Sequence, residues 1–226
     1  AKFSYSLRYV RQDLSRPTAL NGGLYDSIGR QTWPNLPVYD ENGYYFDENA
    51  ENPAMSLAEG GVRDAQTDKT YHQAALVFEP VKNWVTNVEF NYSINSADTR
   101  QTELPCYNHD VNGNIIDTQG TTGLYQDYTK ENYMNWNIYT TWSFTLGKGH
   151  NVKMMGGFQS EEMRQKFFKA KGYGLQMEDL PELDLISNID GLGKDKAPEV
   201  GGYRNQWATA GFFARLTYDY KDRYLA

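Results

Sequence analysis

The sequence holds a single cysteine, Cys106, so no disulfide can form within the chain. It has no apolar run of about eighteen residues or more, which excludes a transmembrane helix. That does not exclude a membrane, because barrel strands leave a far weaker hydropathy signal. It lacks a basic excess: 22 Lys and Arg stand against 29 Asp and Glu, for a formal charge of −7. Nucleic-acid binding, which needs a positive face, is therefore not expected, while glycan, peptide and protein partners stay open. No leader-like segment is read at the start, since Ala1 runs directly into strand-like sequence. The three histidines, His72, His109 and His150, have no metal-ligand spacing, and no nucleophile elbow, P-loop or zinc signature is present. The pairs Glu161-Glu162 and Glu178-Asp179 are sequence neighbours and read as solvated edges, not as an acid/base couple. Asp110 to Asn114 spaces oxygen ligands alternately, but its glycine is misplaced for an EF-hand and the closing Glu is missing. The expectation is a non-enzyme with no catalytic residues, no metal and no cofactor.

Aromatic residues are what the chain has in quantity. There are 18 Tyr, 10 Phe and 5 Trp, yet the mean hydropathy is −0.73. A chain this aromatic and this hydrophilic must interleave apolar and polar side chains, as strands with differently solvated faces do. Six segments alternate in this way. The clearest places Met134, Trp136, Ile138, Thr140, Trp142 and Phe144 on one face and Tyr133, Asn135, Asn137, Tyr139, Thr141, Ser143 and Thr145 on the other. Similar alternation runs from Phe3 to Tyr9, His72 to Glu79, Trp84 to Tyr92, Asn151 to Gln159 and Ala208 to Tyr220, and Tyr224-Leu225 reads as the start of a further strand. Several runs reach the ~9–11 residues that a tilted strand needs to cross a bilayer.

The connections alternate too. Short turns at 79–83, 146–150 and 221–223 separate long loops at roughly 11–70, 94–131 and 160–203. Short turns at one end and long loops at the other are the signature of an up-and-down membrane barrel, with the loops extracellular and strand one running outward. Within the loops, 38–45 and 108–115 each put Asn-Gly between strand-like flanks and predict two-residue type I′ hairpins. The segment around Met177 to Leu185 is read as a short helix. Strand aromatics such as Trp84, Tyr92, Trp136 and Tyr220 suit a lipid-facing band and its interfacial girdles. The loop aromatics Trp33, Tyr39, Tyr44, Tyr45, Tyr107, Tyr125 and Tyr128 either pack the loops together or stack on a ligand; Trp33, Tyr39, Tyr44, Tyr107 and Tyr125 are the substrate-binding candidates.

The run from Gly211 to Leu225, GFFARLTYDYKDRYL, resembles a stretch of the SusC/RagA-type TonB-linked outer-membrane transporters of Bacteroidetes. Asn132-Tyr133, Asn137 to Thr141, Lys153 to Glu161 and Leu180 to Leu185 resemble the family's preceding strands and loop, so that the specific likeness covers about 130–226. The resemblance implies an all-β, antiparallel up-and-down meander, part of a large transmembrane β-barrel of about 22 strands with a plugged lumen. It also implies uptake of glycans, peptides or other nutrients in the outer membrane of a Gram-negative bacterium, with TonB and a SusD-like surface lipoprotein as partners. On that reading residues 1–226 are a single mid-barrel segment of about six strands, without the plug. Two alternatives remain. A soluble β-sandwich binding carbohydrate would bury Trp136 and Phe144 between two sheets. A β-sheet hydrolase would need two carboxylates facing each other across a cleft.

Overall fold

The structure, a computed structural model, describes all residues except 31–34, 47–51, 111, 190–192, 222–223 and 226. Six long strands dominate it: β1 (Lys2–Pro17), β2 (Val62–Val81), β3 (Trp84–Glu103), β6 (Gly123–Leu146), β7 (His150–Tyr173) and β8 (Glu199–Tyr220). They form one antiparallel sheet in the order β1-β2-β3-β6-β7-β8, and a short β9 (Tyr224–Leu225) pairs with the end of β8. Consecutive long strands are spatial neighbours, as the alternation of turns and loops predicts. A two-stranded hairpin of β4 (Cys106–His109) and β5 (Ile115–Gln119) stands apart in the connection between β3 and β6. The sheet is a meander and is not closed. Two stacked sheets are not what holds the long strands: Trp136 is 37% exposed, so it is not in the shared core a sandwich would need.

The register aligns residues into rows across the sheet, and each row lies on one face. One row runs Phe3, Leu76, Val88, Ile138, Phe158, Phe212, and the next on the same face runs Tyr5, Ala74, Phe90, Trp136, Ser160, Ala210. Toward the turns the same face carries Val81, Trp84, Trp142, Met154 and Leu216, then Phe144, Val152 and Tyr218, then Leu146, His150 and Tyr220. From the level of Leu146 to that of Trp136 these rows contain no Asp, Glu, Lys or Arg. The row of Met134 adds Glu162 at its edge, and two rows beyond come Arg11, Asp68, Ser96, Lys130, Lys166 and Arg204. The apolar band thus ends at a line of charge.

Its height follows from strand geometry. From Leu146 to Met134 is twelve residues on β6, or about 40 Å along the strand. Projected through a tilt of ~40°, that is about 30 Å, the thickness of a bilayer's hydrocarbon core. The turns supply an independent sign of tilt. Val81 pairs with Trp84 four residues above the level where Leu146 pairs with His150. Four residues over two strand spacings, about 13 Å against ~10 Å, is a slope of roughly 50°, steeper than the ~35–45° of barrel strands.

Two sequence expectations need correction. The strands run well beyond the alternating segments, so the long connections shrink to 18–61, 104–122 and 174–198. Above the line of charge both faces mix polar and apolar residues, so period two disappears from the sequence while the ladder continues; Tyr128↔Phe168 and Thr129↔Phe167 still pair. The loop 18–61 also holds two helices the pattern did not signal, α1 (Gly22–Arg30) and α2 (Pro53–Glu59). The expected helix near 177–185 is a single 3-10 turn at Leu183–Leu185.

The turn at 82–83 shows how local chemistry sets register. Pro80 has no N–H to give to the ladder, and the pairing slips between Phe78 and Val81 there. Glu79 Oε1 then accepts from the amide of Asn83 at 2.6 Å, and Asn83 takes a positive φ of 66°. Within the sheet, Gly157 makes room for an aromatic ring: a Cβ there would lie 2.3 Å from Phe213 Cζ and 2.8 Å from Tyr139 Cβ.

Candidate functional site

The face opposite the apolar band is chiefly polar at mid-height, with Phe213 and Trp207 among its aromatic residues. Its rows read Ser4, Ala75, Glu89, Asn137, Gln159, Gly211 and Ser6, Gln73, Asn91, Asn135, Glu161, Thr209. Amide and carboxylate groups are bonded across the strands here. Asn137 Nδ2 and the Tyr139 hydroxyl both reach Glu89, at 3.3 and 3.4 Å, and Asn91 Nδ2 donates to Asn135 Oδ1 at 3.3 Å. Higher up, Glu131 accepts from Gln165 Nε2 at 2.7 Å and Asn95 Nδ2 at 3.2 Å. The long donor–acceptor distances at Glu89 mark weak bonds that these half-buried groups can exchange for water or a ligand's polar groups. A cleft of about 380 Å³ opens beside them, lined chiefly by Arg8, Tyr71, Asn91, Ser93 and Tyr133. No two of these carboxylates confront each other as a hydrolase would require; each is held by amide or hydroxyl donors.

The connections opposite the turns build a crown that contains the buried core of the described residues: Leu24, Met55, Cys106, Leu124, Tyr173 and Leu175. Asn52 organises part of it. This buried side chain caps α2 by accepting from the amides of Ala54 and Met55 through Oδ1, while its Nδ2 donates to the carbonyls of Val38 and Phe46 at 2.9 Å each. Pro53 at the first helical position completes a start signal, Asn followed by Pro, that was legible in the sequence and missed. Elsewhere in the crown the Tyr173 hydroxyl donates to Glu199 at 2.5 Å, with Lys196 Nζ 3.7 Å over the tyrosine ring. That bond holds the Tyr173 hydroxyl up at about 12 and Glu199 below its ordinary value.

Both Asn-Gly loops turn, by a different geometry from the one expected. In each, Gly donates to the carbonyl three residues back, Gly43 to Asp40 and Gly113 to Asp110. In each the glycine has a positive φ of 85° and the asparagine before it does not, whereas a type I′ turn would need it at both. The reason lies at the preceding aspartate. Asp40 Oδ1 accepts from the amides of Asn42 and Tyr44, and Asp110 Oδ1 from those of Asn112 and Asn114. Those donors, Asn114 first, hold the Asp110 carboxyl below its ordinary pKa. They also occupy the oxygen a calcium loop would use; among the described residues no group of three or more His, Cys, Asp or Glu could hold a metal.

The aromatic candidates separate by environment. Tyr44 stacks on His109, centroids 4.4 Å apart, and so joins the two hairpins. Tyr39 leans on Tyr45 at 5.0 Å but stays 51% exposed. The Tyr107 hydroxyl donates to Glu178 Oε1 at 2.6 Å. Tyr125 and Tyr128 are not in a loop: both lie on β6, on opposite faces, with Tyr128 against Phe168 at 5.6 Å. Trp33 lies outside the described residues. The structure therefore brings Tyr39, Tyr44 and Tyr107 into one crown, where Tyr44 joins the two hairpins, Tyr39 packs within its own and Tyr107 reaches the 174–198 connection. The histidines are dispersed, His72 and His150 bonded to Tyr5 and Tyr218 at 2.8 Å each.

The hydrogen bond to Glu178, chiefly, raises Tyr107 to about 12. A hydroxyl whose pKa rises on folding favours the fold below about 10 and loses that contribution as pH climbs through about 12. Difference titration of tyrosinate absorbance, intact protein minus Tyr107→Phe, should therefore show the missing hydroxyl titrating well above 10. A value near 10 would remove the bond.

Comparison with known proteins follows this geometry. No family model matches the chain. The chain is 24% identical over 208 residues to TonB-dependent receptor P26 of Formosa agariphila, covering 86% of this chain and 19% of that protein. It is 23% identical over 199 residues to TonB-dependent receptor P39 of the same organism, covering 85% and 17%. The chain thus spans less than a fifth of the length of these relatives. Among solved structures, it superposes on the RagAB peptide importer in the closed-closed and open-open states with a TM-score of 0.61 for each. Identity is 14% in both, over 81% and 83% of this chain and 20% and 19% of the other. The relatives are receptors and transporters, and the resemblance to SusC/RagA-type TonB-dependent transporters read from residues 130–226 holds over most of the chain.

Proposed function

We propose that this chain is a wall segment of an outer-membrane, TonB-dependent importer. The apolar face of its sheet meets lipid, its polar face lines the lumen, and its loop crown lies on the cell exterior. One observation carries the reading: a band free of Asp, Glu, Lys and Arg from the level of Leu146 to that of Trp136, about 25 Å high once tilted, gives way to a line of charge on one face only. A soluble sheet has no reason to keep one face apolar to that height while leaving Phe212 88% and Phe3 68% exposed. In lipid the same exposure is favourable.

The imported nutrient is a glycan or a peptide, and the partners are TonB and a SusD-like surface lipoprotein; the resemblance to the family and the likeness to a peptide importer support both. Of the crown candidates Tyr39, Tyr44 and Tyr107, Tyr39 is the most exposed and so the most available for stacking, while Glu89, Asn91, Asn135 and Asn137 supply polar contacts below. Exposed tyrosine, large and with few rotatable bonds, suits contact with sugar rings and peptide side chains alike.

Proteolysis of the intact protein on whole cells tests the orientation. Cleavage is expected first within 18–61, 104–122 or 174–198. Cleavage first at Lys82 or Lys148 would place the turns outside and overturn the reading.

A further inference from the structure

Like charges directly across a strand pair are unfavourable, so a row of them in register needs an explanation. Lys130 pairs with Lys166, and Lys166 with Arg204. The three cations lie side by side on adjacent strands, on the face that carries the apolar band. Among the described residues none of the three forms an ion pair; the salt bridges lie elsewhere. The next row down on the same three strands is Asn132, Arg164 and Gln206, a further cation between two amides. Arg164 is engaged with Glu162, the acidic group at the band's edge. Lys166 and Arg204 are exposed.

Position relative to the band gives the row its meaning. Lys130 lies four residues beyond Met134, and Arg204 four beyond Ala208, the last residues of the apolar band on their strands. Four residues advance about 13 Å along a tilted strand, or roughly 10 Å along the membrane normal. Lysine and arginine stems bend back toward an interface by several ångströms. Their charges therefore sit where a lipid's polar headgroup begins, on the side of the loop crown.

We propose that Lys130, Lys166 and Arg204 form a binding site for the phosphate of a lipid headgroup in the exterior leaflet. The inference rests on the reading that the apolar face meets lipid. Three aligned donors suit a phosphate, which accepts several charge-assisted hydrogen bonds and relieves the repulsion between the cations. Continuity with the apolar band selects lipid over a free anion: acyl chains can lie on Trp136, Ile138 and Phe158 while the phosphate reaches the row above.

The test uses the full-length transporter reconstituted into vesicles of a phosphate-free lipid, digalactosyldiacylglycerol, doped with lipid A or with dephosphorylated lipid A. Flotation with the vesicles first verifies insertion. Each cation near an anionic surface contributes roughly fivefold. The triple variant Lys130→Gln, Lys166→Gln, Arg204→Gln should therefore bind lipid A on the order of a hundredfold more weakly, with flotation unchanged. Lys153→Gln, on the polar face near the turns, should bind as the parent does. The parent should prefer lipid A to the dephosphorylated form, and inorganic phosphate should not compete. Equal binding of the two lipids, or no loss in the triple variant, overturns the site. Effective competition by inorganic phosphate overturns the lipid source. A parent that does not float with the vesicles overturns the membrane reading itself, and the site with it.

Discussion

Ile138→Arg in the intact transporter should destabilise the barrel by roughly 2–4 kcal/mol, and Asn137→Arg by much less. The two residues are neighbours on β6 and point to opposite faces. Ile138 sits mid-band between Val88 and Phe158, with Phe3, Leu76 and Phe212 farther along the row. An arginine there has no anion within the band and must hold its charge in hydrocarbon or bend the bilayer. Asn137 is directly opposite Glu89 and already donates to it. An arginine at 137 meets a carboxylate and water. Reversible unfolding of both variants in lipid vesicles reads the difference. Equal costs, or a larger cost at Asn137, would mean that the faces are reversed or that the strand does not meet lipid.

Asn52→Ala should loosen the crown by about 2–4 kcal/mol without altering the long strands. The substitution removes the cap on α2, and it removes the Nδ2 donor from Phe46's carbonyl. Val38's carbonyl keeps the bond from the Phe46 amide, so only one acceptor is newly unpaired. Asn52→Asp separates the contributions, since it keeps the capping oxygen but turns a second oxygen toward the two carbonyls. Hydrogen exchange at Ser56 and Gly60, whose amides close the helix, should accelerate in both variants, with β6 and β7 unaffected. Protection unchanged in Asn52→Asp would assign the whole effect to the cap.

Much of the long-strand architecture was legible because one medium differs from another. Between Leu146 and Met134 the faces of β6 meet different surroundings, so each residue type reports its side, and the order and pairing of strands follow from the turns. The same logic explains the failures. From Glu131 to Gly123 both faces of β6 mix polar and aromatic or apolar residues, so the sequence carries no periodic signal although the ladder is unbroken. The Asn-Gly turns were located from their glycines, but their type was decided by Asp40 and Asp110, whose side chains claim the amides that follow.

The sequence by itself determined that the chain forms an antiparallel meander with one apolar face, with turns at one end and loops at the other, and it carried the family likeness in its last strand. These are consequences of local periodicity and of turn residues close together in the chain. Only the tertiary structure decided how the crown packs, because Asn52 with Val38, Tyr44 with His109 and Tyr107 with Glu178 are brought together by loop closure over distances no periodicity spans. The same holds for the row of Lys130, Lys166 and Arg204. These residues are tens of positions apart in sequence and become one feature only when register places them on adjacent strands.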